Sequence, residues 1–305
     1  MSDASPGPIR PILVTGATGN VGRAVVASLR ARGLPVRPGL REPGVDPDAV
    51  ALDFARPATF ASALDGAGGV FLLRPPAVSD VGPTLNALVD AALAQGIRRV
   101  VFLSVVGADQ RSYIPHAKVE RHLRERRADW TFLRAGFFAQ NLGDAYRADI
   151  VERDELFVPA GSGRAAFVDA RDLGEVAARA LSEPGHGAQA YTLTGPEALD
   201  FDQVATLLSA ALDRPIRYAR PGVARYVWRL HRRGLPLAQA LVQAVLHVGL
   251  RYGHAAQVDP TLARLLGHPP RTLAQYIAEH RALWRDAVEV EADEVARAAA
   301  RPIRT

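Results

Sequence analysis

The stretch that decides the fold is Ile12-Leu13-Val14-Thr15-Gly16-Ala17-Thr18-Gly19-Asn20-Val21-Gly22. Its first three residues form an apolar run typical of a short buried strand. A helix is predicted after the turn, because one apolar face is formed by Val21, Val25, Val26 and Leu29. Three glycines spaced three residues apart separate the two elements. This arrangement predicts a strand, a tight turn and a helix at the start of the chain.

Each glycine has a distinct function in a dinucleotide-binding turn. Gly16 permits the sharp turn, Gly19 lets backbone N–H groups approach a diphosphate, and Gly22 lets the helix pack on the sheet. The helix N-terminus favours an anion, and the expected side-chain donors are Thr15, Thr18 and Asn20. The alternative is an ordinary glycine-rich turn. Its position directly after a buried strand near the N-terminus favours the dinucleotide site.

Composition restricts the function classes. The chain has 305 residues, 48% hydrophobic and 23% charged, with a net charge of +5 from scattered arginines, so nucleic acid is not a required partner. It contains no cysteine, which excludes disulfides, thiolate metal sites and cysteine nucleophiles. The eight histidines show no metal-ligand spacing, and we expect no metal. No signal peptide and no membrane span are predicted, which favours a cytoplasmic location.

Lysine is almost absent from the chain. Of 37 basic residues, only Lys118 is a lysine. Arginine could replace its charge, but an arginine could not act as a compact ammonium group or adjust its pKa as an amine can. This observation favours a functional role for Lys118, with chance survival as the alternative.

Apolar runs alternate with helical patterns along the first two thirds of the chain. Strands are predicted at residues 36–40, 49–54, 68–73, 100–104 and 129–134, with helices at 57–64, 81–95 and 115–127. Residues 166–173 are predicted to form a further strand and the start of a helix, with Asp172 as the expected cap, and 191–195 are predicted to form another strand. This alternation predicts an α/β protein with a Rossmann-type, doubly wound parallel sheet.

The pattern changes after Pro196. Helices are predicted at 201–212, 223–233, 237–250 and 272–284, forming a smaller, mainly helical substrate lobe. Segment 237–250 is apolar nearly all round and predicts a core or interface helix, which leaves the oligomeric state open. Segment 223–233 is basic and predicts a solvated helix face. The predicted domains are a tail (1–8), a dinucleotide domain (9–154, 168–195), the smaller lobe (155–167, 196–285) and a charged tail (286–305).

Arg41 follows the second predicted strand directly. An acidic residue there binds the ribose diol of NAD, whereas an arginine suits the 2′-phosphate of NADP. Arg41 therefore favours NADP(H), although the adjacent Glu42 keeps NAD(H) as an alternative cofactor.

Several motifs together resemble the NmrA-like group of atypical short-chain dehydrogenase/reductases. They are the glycine turn at 15–22, residues 101–104, 130–134, 136–138 with Asn141, 167–169 with Asp172, and 191–197. The chain looks most similar to the bacterial branch of NAD(P)H-dependent quinone, azo-dye and triphenylmethane-dye reductases, which also resembles fungal imine-reducing enzymes. The wider group includes non-catalytic NADP sensors that bind protein partners.

The resemblance implies site residues by position. It places at the cofactor Thr15, Gly16, Thr18, Gly19, Asn20, Val21, Gly22, Arg41, Asp53, Phe54, Leu73, Arg74, Ser104, Lys118, Gly136, Phe137 and Phe138. Ser104 and Lys118 would lie near the nicotinamide ribose, and Gly136 to Phe138 near the nicotinamide ring. The expected acceptor pocket contains Phe137, Phe138, Asn141, Tyr226 and Trp228.

Two positions depart from the family pattern. Ordinary short-chain dehydrogenases have a tyrosine four residues before the lysine, but this chain has Ile114 there and Tyr113 one residue away. A tyrosine acid is therefore not expected from the motif. Arg74 stands where the group often has a small residue, which would alter the pocket.

The resulting hypothesis is an NADPH-dependent reductase that transfers hydride to a small electrophilic acceptor of quinone, azo, imine or enone type. The candidate catalytic residues are Lys118, Ser104, His116 and Tyr113, the last two as sources of a late proton. The alternative is a non-catalytic NADP(H)-sensing regulator that binds a protein partner. A third is an isomerase or epimerase that reuses bound cofactor.

Overall fold

The computed structural model describes residues 10–44 and 46–285, and the predicted tails at 1–8 and 286–305 lie outside these ranges. The strands are β1 (Ile12–Thr15), β2 (Val36–Leu40), β3 (Val50–Ala51), β4 (Gly69–Leu73), β5 (Arg99–Val105), β6 (Asp129–Ala135), β7 (Phe137–Phe138), β8 (Glu155–Leu156), β9 (Arg164–Val168), β10 (Gln189–Leu193), β11 (Ala198–Asp200) and β12 (Arg217–Tyr218). The helices are α1 (Asn20–Ala31), α2 (Phe60–Leu64), α3 (Ala87–Ala94), α4 (Pro115–Glu125), α5 (Arg147–Arg153), α6 (Ala170–Ser182), α7 (Phe201–Leu212), α8 (Val223–Arg232), α9 (Leu237–Arg251), α10 (Thr261–Leu266) and α11 (Leu273–Glu279).

Seven strands form one sheet in the order β10-β6-β5-β4-β1-β2-β3. Every pairing in this sheet is parallel. The predicted Rossmann-type fold is therefore confirmed. The strand order reverses at β1, between β4 and β2, and in such sheets ligands bind beside the carboxyl ends of the strands at the reversal point.

Alternation of side chains along the strands creates two packed faces. Leu13, Val70, Leu72 and Phe102 join residues of α2, α3 and α4 in one buried apolar cluster. On a strand, alternate residues share a face, so packing on both faces explains why a central strand such as β4 is apolar throughout. Helices α1 and α6 pack closely together, because Gly174 has no side chain: a Cβ there would lie 2.6 Å from the backbone of Ala24.

Three predicted elements are corrected by the structure. The predicted strand 49–54 is reduced to β3, because only Val50 and Ala51 pair with β2 and the chain then turns at Asp53. The predicted helix 81–95 opens with a π-helical turn, Gly82–Asn86, before α3. The N–H of Asn86 donates to Val81 O at 2.9 Å, five residues back, which makes this turn wider than an α-helical one. Asp172 is the third residue of α6 and is buried, so it is not the N-cap.

The described chain divides into two compact units. The first comprises residues up to Gly136, Ala170–Thr194 and Asp259–Pro270, and the second comprises Phe137–Asp169, Gly195–Val258 and residues from Arg271 onward. The predicted division at residue 154 thus differs from the observed one. The reason is that β7 does not join the seven-stranded sheet and pairs instead with β9.

The second unit is built from helices with two small sheets, β11-β9-β7 and β12-β8. Its apolar core contains side chains from α5, α7 and α11, with Phe167, Phe201 and Trp284 fully buried. The predicted helix 272–284 ends earlier than expected, since α11 stops at Glu279 and a 3₁₀ turn follows. Among the described residues, no helix combines the length and apolar character needed to cross a bilayer.

Helix α8 differs from its predicted setting, and helix α9 is only partly buried. The basic face of α8 is not simply solvated: Arg229 and Arg233 form ion pairs with the buried carboxylate of Asp149, at 2.8 and 3.0 Å. Helix α9 buries its small residues Ala240 and Ala244. Leu250 is also buried, whereas five other large apolar residues of α9 face solvent, namely Leu237, Leu241, Val242, Val245 and Leu246.

Candidate functional site

The glycine turn in the first unit has the geometry of an anion cradle. Gly16 has φ +62°, and the N–H of Gly19 donates to Gly16 O at 3.0 Å. Gly19 is the N-cap of α1 and has no capping side chain, and the first turn contains no acidic residue. No carboxylate of the first turn therefore caps the first backbone amides of α1. The helix dipole adds partial positive charge at the same place.

The other two glycines differ in their surroundings. A Cβ on Gly22 would lie 2.0 Å from Gly16 O, so this glycine is required for close packing of α1 against the turn. A Cβ on Gly19 would meet only Gly16 O, at 3.4 Å. The space beside Gly19 is open, which fits a group that approaches the backbone of the turn. The dinucleotide motif therefore contains one glycine required for packing, Gly22, and one with open space beside it, Gly19.

The side chains predicted to donate at the turn have unequal settings. Thr15 is fully buried, and its Oγ1 accepts a hydrogen bond of 2.8 Å from the N–H of Leu73. Thr15 therefore ties the ends of β1 and β4 together. Thr18 is exposed, whereas Asn20 Oδ1 accepts from Arg23 at 3.1 Å. Val21 is buried and packs in the core.

The ends of β2 and β3 carry the predicted adenosine contacts. Arg41 is exposed and forms no ion pair with another described residue. Asp53 accepts hydrogen bonds from Ala55 N–H and Arg56 Nε, both at 2.9 Å, and these bonds hold its pKa below the usual value. Phe54 packs edge-on against Phe60. A solvent-facing guanidinium that forms no ion pair with a described residue suits recognition of a phosphate.

A buried polar network lies at the ends of β5 and β6. Ser104 and Arg134 are register partners on these strands, and both bond to the carboxylate of Glu120 from α4. Ser104 Oγ donates at 2.7 Å, while Arg134 donates through Nε at 3.0 Å and Nη2 at 2.7 Å. Arg134 also reaches Asp109 at 2.9 Å, and Arg124 reaches Glu120 at 3.2 Å. Glu120 is 1% exposed, so its charge is balanced by these donors.

This network changes the role available to Ser104. A hydroxyl has one hydrogen, and that of Ser104 is directed to Glu120. Its two oxygen lone pairs can accept hydrogen bonds, but the group has no second proton to donate. Sequence reasoning assigned no role to Glu120 or Arg134. The available signal was a glutamate on the buried face of α4, three residues from both Ala117 and Leu123, beside an arginine in a buried strand.

Arg74 and His116 form the other polar contact predicted near the cofactor. Arg74 Nε lies 3.3 Å from His116 Nε2, so the histidine accepts at Nε2 and its proton is on Nδ1. Burial and then the positive charge of Arg74 lower the pKa of His116 to about 4. At neutral pH His116 is therefore an uncharged hydrogen-bond acceptor for Arg74.

Lys118 and Tyr113 lie at the start of α4 and in the loop before it. Lys118 is exposed, and its ammonium bonds to no other described side chain. Tyr113 is 73% exposed. Gly136 packs against Thr194, and its N–H donates to Leu193 O at 2.8 Å. Of the catalytic candidates, the structure thus joins Ser104 to Glu120 and His116 to Arg74, and leaves the two remaining side chains in solvent.

The predicted acceptor-pocket residues of the second unit do not form one wall. Phe137 is half-buried and packs edge-on against Phe167 and Phe201, at ring distances of 5.3 and 6.4 Å. Phe138 and Asn141 are also half-buried. Tyr226 is 3% exposed within an apolar cluster, whereas Trp228 is 59% exposed with Arg232 over its ring. These two aromatic residues lie on opposite sides of α8, so they cannot line the same surface.

A buried tyrosine–histidine pair in the second unit was not predicted. His247 Nδ1 lies 2.7 Å from the carbonyl oxygen of Gln243, which assigns its proton to Nδ1. Tyr146 therefore donates its hydroxyl proton to His247 Nε2, at 2.5 Å. Burial lowers the pKa of His247 and raises that of Tyr146. Both groups are neutral. No group of three or more potential metal-ligating side chains occurs within residues 10–44 and 46–285.

Comparison with known proteins places these features in context. Residues 9–228 match the family model described as the NmrA-like family. The chain is 34% identical to an NAD(P)H azoreductase of Xenophilus azovorans over 286 residues, covering 90% of this chain and 99% of the relative.

Solved structures agree with this match. The NADPH complex of the quinone oxidoreductase QOR2 from Escherichia coli is 28% identical, with a TM-score of 0.78 over 88% of this chain and 99% of that one. NmrA, a negative transcriptional regulator, is 17% identical with a TM-score of 0.70, covering 94% and 98%. At that identity the likeness shows the fold alone.

Proposed function

The chain belongs to the NmrA-like family and is an NAD(P)H-dependent oxidoreductase, and we propose that it transfers hydride from NADPH to a small electrophilic organic acceptor. The azoreductase and the quinone oxidoreductase described above are 34% and 28% identical to this chain, and their names give azo compounds and quinones as acceptor types. The proposed acceptors are therefore flat conjugated molecules of the quinone, azo, imine or enone type. We take the cytoplasm as the site of action.

The observation that carries this proposal is the open glycine cradle at α1. The unfilled space beside Gly19 and the uncapped amides of α1 suit the cofactor diphosphate. Arg41 suits the 2′-phosphate, and Lys118 suits the ribose hydroxyls because its exposed ammonium has no other described partner. When bound in this way, NADPH supplies the hydride, and the protein supplies position and charge.

Ser104 and His116 in the first unit are poor proton donors, which favours acceptors that need no strong acid. The hydroxyl proton of Ser104 is held by Glu120, and His116 is neutral with Nε2 occupied by Arg74. Quinones, azo groups and iminium carbons accept hydride at an electron-poor atom without prior protonation. A quinone or azo group then needs one proton, which solvent can deliver, whereas an iminium carbon needs none. We propose that Ser104 accepts a hydrogen bond from the cofactor or acceptor and does not act as an acid.

The test begins with purified protein and NADPH. Binding should enhance NADPH fluorescence, and adding a quinone, azo dye or imine should cause loss of NADPH absorbance at a rate proportional to protein. Turnover with at least one acceptor class supports the proposal. Binding without turnover on any of them would contradict it and would favour an NADP(H)-sensing regulator.

A further inference from the structure

Arg74 is a partly buried cation with an unusual set of partners. Its Nη1 donates to the carbonyl oxygens of Pro75, Pro76 and Val78, at 3.1, 3.3 and 2.6 Å. Its Nε donates to His116. All these acceptors are neutral. The guanidinium is therefore held in one orientation by groups that do not balance its charge.

No carboxylate within residues 10–44 and 46–285 forms an ion pair with Arg74. Burial lowers its pKa, yet a guanidinium remains charged at neutral pH. A charge withdrawn from water without a counter-ion is costly, and arginine is usually paired when it is buried. The remaining nitrogen, Nη2, bonds no described residue, and it is accessible to solvent. The structure thus presents a fixed, accessible donor that lacks an anion.

The position of Arg74 relates this donor to the cofactor edge. The preceding residue, Leu73, bonds through its N–H to Thr15, and its side chain lies 3.0 Å from where a Cβ on Gly16 would be. Arg74 therefore follows the point at which β4 touches the glycine turn. His116, its partner, lies on the same first turn of α4 as Lys118.

We propose that Arg74 Nη2 binds an anionic oxygen on the acceptor, so that the enzyme prefers aromatic acceptors that carry a sulfonate or carboxylate. This inference rests on the proposed reductase function. The cofactor diphosphate is the other possible source of an anionic oxygen. We assign the contact to the acceptor because the uncapped amides of α1 already suit the diphosphate. An arginine fork held in advance loses little freedom when it binds an oxyanion.

The test compares a naphthoquinone with its monosulfonated analogue. Two readouts are used: kcat/KM with NADPH, and the dissociation constant measured by equilibrium dialysis against the NADP⁺-loaded protein, in which no turnover occurs. We expect the wild-type protein to favour the sulfonated compound by about tenfold in both, since a charge-assisted hydrogen bond commonly has that effect. Arg74→Met should abolish the preference, because it should lower kcat/KM and affinity for the sulfonated compound about tenfold more than for the parent quinone. Arg74→Lys should keep part of it.

The matched control is Arg121→Met, which removes an exposed arginine from α4 whose ion-pair partner is Glu125. It should leave the preference unchanged. The inference is overturned if wild-type protein shows no preference, or if Arg74→Met weakens both compounds equally. It is also overturned if that variant weakens NADP⁺ binding while the preference stays, since the anion would then be the diphosphate. Failure to oxidise NADPH with either quinone would contradict the proposed function, whereas dialysis would still test Arg74.

Discussion

The hydroxyl of Ser104 donates to the carboxylate of Glu120 at 2.7 Å, and each side chain is only 1% exposed. This contact joins the end of β5 to α4 and fixes the direction of a residue that the family resemblance places at the cofactor. The carboxylate also receives two hydrogen bonds from Arg134. Glu120 is thus a positioning residue whose loss would affect both the fold and the orientation of Ser104.

We expect Glu120→Gln to destabilise the protein by about 3 kcal/mol, because it removes the buried carboxylate and leaves Arg134 only the half-exposed Asp109 as an ion-pair partner. Urea unfolding followed by circular dichroism measures this change. Glu125→Gln, on the exposed side of α4, should change stability by less than about 0.5 kcal/mol. Equal effects of the two substitutions would show that the network does not stabilise the fold.

The two glycines of the cradle should respond differently to alanine. Gly22→Ala should destabilise the fold by about 1–3 kcal/mol, because its Cβ would collide with the backbone of Gly16. Gly19→Ala should leave unfolding almost unchanged and weaken NADPH binding, since its methyl group occupies the open space. Thermal unfolding and NADPH fluorescence titration separate the effects. Unaltered NADPH binding by Gly19→Ala would mean that the diphosphate lies elsewhere.

Substitution of Arg41 should change cofactor choice. Arg41→Ala should raise KM for NADPH by about tenfold or more and leave KM for NADH nearly constant, because a charge-assisted contact to the 2′-phosphate is lost. Steady-state kinetics with both cofactors measures the ratio. The control is Arg56→Ala, a nearby exposed arginine that pairs with Asp53. If wild-type protein already has equal KM values for the two cofactors, the assignment of Arg41 fails.

Lys118→Ala should weaken NADPH binding and lower turnover, since its ammonium would no longer hold the ribose hydroxyls. Lys118→Arg keeps the charge but changes the shape of the donor, so it should recover binding more fully than turnover. Fluorescence titration and kcat give the two readouts. Wild-type values for Lys118→Ala in both would exclude this residue from the site.

Stability should depend on pH through His116. Its pKa is 6.5 in an unfolded reference and about 4 in the folded protein, so the unfolded chain binds more protons between these values. Stability contributed by neutral His116 is therefore lost as the pH falls through this window. Between about pH 7.5 and about pH 5, wild-type protein should lose about 2 kcal/mol more than His116→Gln.

Urea unfolding at the two pH values provides the measurement. His231→Gln, at an exposed histidine on α8, is the control and should respond to pH as the wild-type protein does. An identical pH response in wild-type protein and His116→Gln would show that His116 titrates alike in the folded and unfolded states.

The sequence pattern predicted the parallel sheet well, because buried strands such as β1 and β4 are nearly continuous apolar runs between helices of regular period. Shorter elements were missed, among them β7, β8, α5 and α10. These have two to seven residues, too few for a period to be visible, and pairing partners distant in the chain determine their structure.

The candidate site was predictable to a similar degree. The glycine cradle has a local motif and was found, whereas the network around Glu120 depends on register between β5 and β6 and had no local motif. The exposure of Trp228 and burial of Tyr226 were also not anticipated, because a basic amphipathic helix looked like a solvated one. The ion pair between Arg229 of α8 and the buried Asp149 explains why one side of this helix is covered.

Lys118 is the single lysine of the chain and its side chain is exposed. Apart from the α-amino group, it is therefore the only primary amine available to acylating reagents. A fluorophore or affinity handle coupled through an activated ester would be installed at one side chain, on the same helical turn as His116. The arginine-rich composition thus makes the proposed ribose-binding position a unique point of covalent attachment, obtained without engineering a cysteine.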